Sequence, residues 1–130
     1  MLNQIDIQDI ITIAKEAGNK IMQIYDQDFD VEYKKDNSPL TDADISANKI
    51  IEDRLNNLSV KLPILSEEGK DISYDIRKYW EYFWLVDPLD GTKEFIKKNG
   101  EFTVNIALIH NDMPVLGVVY APALDVCYWA

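Results

Sequence analysis

The chain has 130 residues, which is enough for one compact domain with a buried core. Hydrophobic residues make up 47% of it and charged residues 28%, an ordinary balance for a globular chain that need not be disordered. Its 23 acidic and 13 basic side chains give a net charge of -10, so we expect no nucleic-acid partner, and a small anionic substrate would need bound cations.

Cysteine content and hydrophobicity bear on where the chain resides. Cys127 is the single cysteine and cannot form an internal disulfide, which favours a reducing cytoplasm. The N-terminus has no signal-peptide pattern, and no apolar run approaches the ~18 residues that a membrane span needs. We therefore expect a cytoplasmic protein without a transmembrane segment. The sequence leaves open peripheral contact with the inner membrane face and assembly into a homodimer.

The N-terminal part of the chain predicts one long helix and one short strand. Apolar residues at spacings of three and four predict a helix over residues 6–25, capped by Asp6. Residues 29–33 alternate apolar and acidic side chains, as in a half-buried strand, and Pro39 indicates the turn that follows.

A second helix and a buried strand follow this turn. The helix begins near Thr41 or Asp42 and carries apolar residues on one face. The apolar run 63–65 predicts a buried strand, which ends at the adjacent acids Glu67 and Glu68.

The next segment is polar and then strongly apolar. Residues 70–78 predict an exposed loop with one helical turn. Residues 82–86, YFWLV, predict a strand that is covered on both faces and ends at Asp87 and Pro88.

The last part of the chain predicts a helix and three strands. Residues 92–100 predict a short helix closed by Asn99 and Gly100. Residues 102–109 and 115–121 form a hairpin with a loop at 111–114, and a further strand begins at Val126. The order of elements predicts an α+β fold in which helices pack on a mixed, largely antiparallel sheet. Because the chain stops in this last strand, we expect more sheet to follow in a longer protein.

Two aspartates separated by proline and leucine follow the YFWLV strand. Pro88 fixes one backbone angle, so Asp87 and Asp90 can point into one pocket with the Leu89 carbonyl between them. Hard cations such as Mg²⁺ prefer such oxygen ligands. The pattern therefore predicts a Mg²⁺ site.

The residues after this pair are suited to phosphate. Gly91 lets the backbone approach an anion, and the amides of Gly91 and Thr92 at a helix start can donate to phosphate oxygens. Lys93, beside Thr92, can attract an anionic substrate. The Thr92 hydroxyl, held by a carboxylate such as Asp44, can orient a water for attack on phosphorus.

Each of these residues also has a purely structural interpretation. Asp-Pro and Asp-Gly are common turn sequences, and Thr41-x-x-Asp44 is a capping-box pattern at a helix start. Adjacent glutamates such as Glu67 and Glu68 are usually solvated turn residues. The lysines at 34, 35, 93, 97 and 98 are by default a solvated rim.

Three segments carry a family resemblance: NSPLTDAD at 37–44, LSEEG at 65–69 and DPLDGT at 87–92. With these segments in this order, the chain resembles the inositol monophosphatase superfamily, and the resemblance runs through all 130 residues. The texts DPLDGTKEFIKKNGEFTVNIALI and GVVYAPALDV are similar to the bacterial CysQ branch, the 3'(2'),5'-bisphosphate nucleotidases. The resemblance implies a layered αβ sandwich of the sugar-phosphatase type. Residues 1–130 would be its N-terminal metal-binding domain, with the C-terminal domain absent.

The resemblance also implies roles for individual residues. It assigns the metal site to three carboxylates and one carbonyl, those of Glu67, Asp87, Asp90 and Leu89. Asp44 and Thr92 match the pair that orients the attacking water, and Glu68 matches a supporting acid. The amides of Gly91 and Thr92 match the phosphate-binding groups.

The implied reaction is hydrolysis of a phosphate monoester by water, with two or three Mg²⁺ ions, no phosphoenzyme, and inhibition by Li⁺. In the CysQ branch the substrate is adenosine 3',5'-bisphosphate, a small nucleotide that loses its 3'-phosphate to give AMP. Members of the superfamily are roughly twice this length and carry a W-D-x-A segment that supplies a further aspartate. No segment of this chain matches it. We therefore expect the chain alone to be weak or inactive.

Other functions compete with this one. A haloacid-dehalogenase-type phosphatase would need D-x-D-x-T, whereas Asp87 and Asp90 are three residues apart. Within the superfamily, the alternatives are inositol monophosphatase or another sugar phosphatase such as fructose-1,6-bisphosphatase. A non-catalytic metal-binding fragment is the alternative that involves no turnover.

Overall fold

The computed structural model describes residues 2–27, 29–36 and 39–130. Residues 37 and 38 begin the segment 37–44, so this part of the predicted pattern lies outside the described residues. A short 3-10 helix at Leu2–Gln4 comes first. The elements then follow in the order α1 (Ile7–Tyr25), β1 (Val31–Tyr33), β2 (Pro39–Thr41), α2 (Asp42–Asn56), β3 (Ile64–Ser66), α3 (Tyr74–Arg77), β4 (Tyr82–Asp90), α4 (Thr92–Ile96), β5 (Thr103–His110), β6 (Met113–Ala121) and β7 (Val126–Trp129).

The two long helices begin at side chains that satisfy backbone groups. Asp6 accepts a hydrogen bond from the Gln8 amide at 2.9 Å and caps α1, as the sequence predicts. Thr41 is the N-cap of α2, and Asp44 completes a capping box with it. The helix starts are therefore set by local sequence.

The predicted turn at Pro39 is wrong. Pro39–Thr41 is a strand that pairs antiparallel with β1, and the turn between them includes residues 35 and 36. A proline can occupy β2 because this ribbon has only two strands, so each strand has an edge that needs no amide donor. The ribbon leads the chain directly into α2.

Five strands form one sheet in the order β3-β4-β5-β6-β7. β3 runs parallel to β4, and every other neighbouring pair is antiparallel. The predicted α+β fold with a mixed, largely antiparallel sheet is confirmed. Since β3 and β4 are parallel, their carboxyl ends lie at the same edge of the sheet, where the predicted acidic residues follow.

β4 extends beyond its predicted end. The sequence predicts that the strand stops at Val86, but it continues to Asp90 and its pairing with β5 shifts register between Asp87 and Asp90. Pro88 has no amide hydrogen for the ladder, which explains the irregularity at this point. Asp87 therefore lies at a β-bulge and not at a strand end.

The elements after β4 are more compact than predicted. The helix that begins at Thr92 ends at Ile96, before the predicted Asn99 and Gly100. The hairpin between β5 and β6 turns at Asn111 and Asp112 alone, because both adopt positive φ angles of 50° and 66°. The single helical turn predicted in residues 70–78 is confirmed as α3.

The hydrophobic core lies between the two long helices and one face of the sheet. Fully buried side chains come from α1, α2, β4, β5 and β6, among them Ile10, Ile21, Ile51, Trp84, Val104 and Leu108. On the opposite face of the sheet, Leu85, Val119 and Tyr128 are exposed. Within the described ranges, no helix combines the length and apolar character needed to cross a membrane.

Candidate active site

An open cavity of about 360 Å³ lies where the end of β3, the β4 bulge and α4 meet. Every predicted site residue except Asp44 lines it: Glu67, Glu68, Asp87, Leu89, Asp90, Gly91, Thr92 and Lys93. Three further residues complete the lining, namely Lys34, Asp36 and Glu94. Asp44 is 1% exposed and connects to the cavity through Thr92. The structure therefore brings together groups from four separate parts of the chain.

Asp87 lies among other negative charges in this cavity. Burial, followed by the charges of Asp90 and Glu67, raises the pKa of Asp87 to about 6. A hydrogen bond from the Leu89 amide opposes this rise. The neighbouring carboxylates thus raise the free energy of ionised Asp87. A cation placed among these carboxylates would lower that free energy.

Asp90 is held by side chains of the adjacent strand. The Asn105 side-chain amide donates to Asp90 Oδ2 at 3.2 Å. The Thr103 hydroxyl in turn donates to Asn105 Oδ1 at 2.9 Å, which leaves the Asn105 amide nitrogen to face Asp90. Strand β5 therefore orients one of the predicted metal-binding carboxylates.

The Glu67-Glu68 turn is fixed by α2 and by β4. The Glu67 amide donates to the Val86 carbonyl at 3.1 Å and extends the pairing of β3 with β4 by one residue. The Ser66 hydroxyl donates to Asn48 Oδ1 and accepts from the Glu68 amide at 3.3 Å. The Asn48 side-chain amide reaches the Glu68 carbonyl at 3.5 Å. These bonds place both glutamates at the cavity.

Lys34 does not behave as a rim residue. Its ammonium forms an ion pair with Glu68, and the two side chains are only 30% and 10% exposed. Burial acts against the charged form of Lys34, but its hydrogen bond to Glu68 and the nearby carboxylates outweigh burial and raise the pKa of Lys34. Burial also raises the pKa of Glu68; the charges of Asp44 and Glu67 add to this rise and the Lys34 ion pair opposes it.

Asp44 makes the contacts that both of its sequence interpretations require. Its Oδ2 accepts from the Thr41 amide at 2.8 Å and from the Thr41 hydroxyl at 2.6 Å, which caps α2. Its Oδ1 accepts from the Thr92 hydroxyl at 2.8 Å. The Leu89 carbonyl is a more distant acceptor for this hydroxyl, at 3.4 Å, so the Thr92 proton points to the carboxylate.

Gly91 is required by the backbone at the start of α4. Its φ is 94°, and a Cβ added there would lie 2.8 Å from the Glu101 carbonyl oxygen. Downstream, Phe95 is fully buried and packs against Tyr25 and Phe102 with ring-centroid distances of 5.4 and 5.3 Å. The glycine and this aromatic cluster fix the position of Thr92. Lys93 stays exposed at the rim.

The donor groups of the cavity are suited to a hard cation, but they are arranged openly. The carboxylates of Glu67, Asp87 and Asp90 and the Leu89 carbonyl offer only oxygen ligands, as Mg²⁺ prefers. In the part of the chain that the structure describes, no three Asp, Glu, His or Cys side chains converge closely enough to enclose an ion. Mg²⁺ retains several water ligands, so an open set of carboxylates is compatible with it.

Sequence reasoning missed four residues that organise the site: Lys34, Asn48, Ser66 and Asn105. Two of these residues, Asn48 and Ser66, could have been recognised from the sequence. Asn48 follows Asp44 by four residues on the inner face of α2, where a polar side chain needs a buried partner. Ser66 ends the apolar run of β3 and is 9% exposed. Lys34 and Asn105 depend on contacts between elements that are distant in sequence, which spacing alone does not reveal.

Two solved structures have the same architecture. CysQ from Bacteroides thetaiotaomicron, a bacterial member of the inositol monophosphatase family, matches with a TM-score of 0.81 and 50% identity, over 95% of this chain and 45% of that one. The extragenic suppressor protein suhB from Bartonella henselae matches with a TM-score of 0.84 and 31% identity, over 95% and 47% of the two chains. The fold and the acidic cavity thus define a protein of the inositol monophosphatase class.

The model of the inositol monophosphatase family matches residues 3–130, and the chain belongs to this family. Among curated relatives, the 3'(2'),5'-bisphosphate nucleotidase CysQ of Escherichia coli K12 is 53% identical over 126 residues. That match covers 95% of this chain and 51% of the relative. The chain therefore spans about half the length of the curated relatives it matches.

Proposed function

We propose that this sequence belongs to a Mg²⁺-dependent phosphomonoesterase that hydrolyses the 3'-phosphate of adenosine 3',5'-bisphosphate to AMP and phosphate. The observation that carries the proposal is the shared cavity of Glu67, Asp87 and Asp90, with Thr92 in its wall hydrogen-bonded to Asp44. Relatives named 3'(2'),5'-bisphosphate nucleotidase at 53% identity support this choice of substrate. The single cysteine supports a location in the reducing cytoplasm.

Four groups would hold the metal ions. Glu67, Asp87 and Asp90 supply carboxylates and Leu89 supplies its carbonyl, which remains available because the Thr92 hydroxyl prefers Asp44. When bound, Mg²⁺ supplies positive charge that polarises the phosphate ester and acidifies a water molecule. Two or three ions would bind in the complete protein, and Li⁺ would inhibit it.

Asp44 and Thr92 position the attacking water in this proposal. Since the Thr92 proton is directed to Asp44 Oδ1, the lone pairs of the Thr92 hydroxyl face the cavity and can accept a hydrogen bond from water. The Thr41 bonds to the other oxygen keep the Asp44 carboxylate from rotating. Asp44 can also stabilise a proton released towards it as water attacks phosphorus.

The substrate phosphate would bind beside α4. The amides of Gly91 and Thr92 would donate to its oxygens, and Lys93 at the exposed rim would attract the anion. Glu68, with its backbone fixed by Ser66 and Asn48, would have a supporting role next to Glu67.

In this proposal residues 1–130 form the N-terminal metal-binding domain of a longer phosphatase. The isolated chain would then be weak or inactive, because the W-D-x-A aspartate and much of the nucleoside-binding surface would be missing. A non-catalytic metal-binding domain is the alternative for the isolated chain.

Phosphate release tests the proposal. A protein of the relatives' length that contains this sequence should release phosphate from adenosine 3',5'-bisphosphate faster than from inositol 1-phosphate or fructose 1,6-bisphosphate. Release should require Mg²⁺ and fall by about 10²-fold or more in Thr92→Val, by loss of a proton-positioning group. Asp71→Asn, which changes an exposed acid outside the cavity, is the control. Equal turnover in Thr92→Val, or a preference for a sugar phosphate, would contradict it.

A further inference from the structure

The cavity already contains a positive charge supplied by the chain itself. The ammonium of Lys34, which follows β1, contacts Glu68 Oε1 in the turn after β3. Lys34 lines the same cavity as Glu67 and Asp87. The charge that a divalent cation would neutralise is therefore partly neutralised by a lysine.

The Glu68 carboxylate has a restricted position when it meets this lysine. Its backbone is held by the Ser66 hydroxyl and the Asn48 side chain, and its side chain is 10% exposed. A carboxylate that is this buried needs a partner, because an unpaired buried charge is costly. Lys34 supplies that partner from the β1-β2 ribbon.

We propose that Lys34 is a positioning residue that serves as the internal counter-ion of the cavity: its ammonium holds Glu68 and competes with a divalent cation for the negative charge there. This inference rests on the proposed function in taking Mg²⁺ as the cation. Lys93 at the rim would attract the anionic substrate, whereas Lys34 would oppose the binding of a cation. Lys34 limits cation binding in the free cavity, and it keeps Glu68 in place until a cation arrives.

Neutralising Lys34 should therefore tighten cation binding. In low-salt buffer, Lys34→Met should bind Mg²⁺ about three- to tenfold more tightly than the unmodified chain, because one repelling charge is removed from near a divalent ion. Lys35→Met is the matched control, since Lys35 is the adjacent exposed lysine outside the cavity lining. Lys35→Met should change the dissociation constant for Mg²⁺ less than about twofold. Lys34→Arg retains the positive charge and should keep the affinity of the unmodified chain. Calorimetric titration of each variant provides the measurement.

An unchanged or weakened Mg²⁺ affinity in Lys34→Met would overturn the inference. Should Lys34→Met fail to fold by circular dichroism, Lys34→Gln takes its place, because its amide can still donate to Glu68. If no variant binds Mg²⁺, the proposed function fails, and a double-mutant cycle then tests the counter-ion role by urea unfolding. Lys34→Met should lower the unfolding midpoint, and adding Glu68→Gln should recover it. Strictly additive effects would show that Lys34 does not hold Glu68.

Discussion

At the scale of single residues, Asp44 links the start of a helix to the wall of the acidic cavity. One of its oxygens caps α2 through Thr41, and the other accepts the Thr92 hydroxyl proton. The local pattern Thr-x-x-Asp predicts the cap, whereas the contact with Thr92, 48 residues away along the chain, is predicted from the chemistry of phosphate hydrolysis and from the family resemblance. The two interpretations of Asp44 do not exclude each other because a carboxylate has two acceptor atoms.

The Asp44–Thr92 bond makes a prediction about stability. Thr92→Val keeps the side-chain shape but leaves Asp44 Oδ1 without this donor at a position that is 1% exposed. We expect the free energy of unfolding to fall by about 1–3 kcal/mol, since a buried acceptor loses its partner. Thr92→Ser keeps the hydroxyl and should lose less than about 1 kcal/mol. Urea denaturation measures both, and equal losses in the two variants would contradict the account.

At the scale of elements, local patterns predicted the helices and the sheet strands well. α1 begins at its predicted cap, and the strands in YFWLV and in the C-terminal hairpin are confirmed within a few residues. Two of the exceptions involve proline. Pro39 lies in the edge strand β2, and Pro88 lies within β4 at the bulge, because each position needs no amide donor. Pairing between strands, which spacing does not encode, decides such cases.

The start of α4 gives a prediction with an internal control. Gly91 and Gly100 both have positive φ angles, of 94° and 79°. A Cβ at Gly91 would lie 2.8 Å from the Glu101 carbonyl oxygen, whereas one at Gly100 would lie 3.5 Å from Ala123 Cβ. Gly100→Ala should lose about 1 kcal/mol of stability from its backbone angle alone.

Gly91→Ala should lose about 1–3 kcal/mol more than Gly100→Ala, because it adds a backbone clash to a similar angular strain. Urea unfolding of the two variants measures this difference. It isolates the close approach of the Glu101 carbonyl, since the left-handed conformation is common to both. A loss in Gly91→Ala no larger than that in Gly100→Ala would show that the chain relaxes around the new methyl group.

At the scale of the whole molecule, the sheet has two unlike faces. α1 and α2 cover one face, and on the other face Leu85, Val119 and Tyr128 are 42%, 39% and 67% exposed. The sequence predicted YFWLV as covered on both faces, and this is wrong for the described residues because Leu85 is exposed. The sequence leaves homodimer formation and peripheral membrane contact open, and the fold tests neither.

Adjacent residues of β6 test this difference between the faces. Val118 is 1% exposed and faces the helices, whereas Val119 lies on the open face. Val118→Lys should unfold the chain or cost several kcal/mol, because a charge is forced into the core. Val119→Lys should change stability by less than about 1 kcal/mol and reduce the binding of an apolar fluorescent dye. Circular dichroism and dye fluorescence measure these effects; similar losses of structure in both variants would contradict this assignment of faces.

The charge of the molecule connects these scales. A chain with a net charge of -10 gathers several of its carboxylates around one cavity, where burial, followed by these neighbouring charges, raises the pKa of Asp87 to about 6. The protonated form of Asp87 is therefore favoured below about pH 6, and the ionised form, which would bind the proposed cation, prevails above it. Mg²⁺ affinity should accordingly fall as the pH is lowered through this value.

Calorimetric titration of Mg²⁺ into the 130-residue chain tests the central claim most directly. At about pH 7.5 we predict saturable binding that is lost in Asp87→Asn and kept in Asp71→Asn, and at about pH 5 we predict roughly tenfold weaker binding, because most Asp87 carboxyls are then protonated. Absence of saturable binding at the higher pH, or binding that Asp87→Asn leaves unchanged, would contradict a cation site built from these carboxylates.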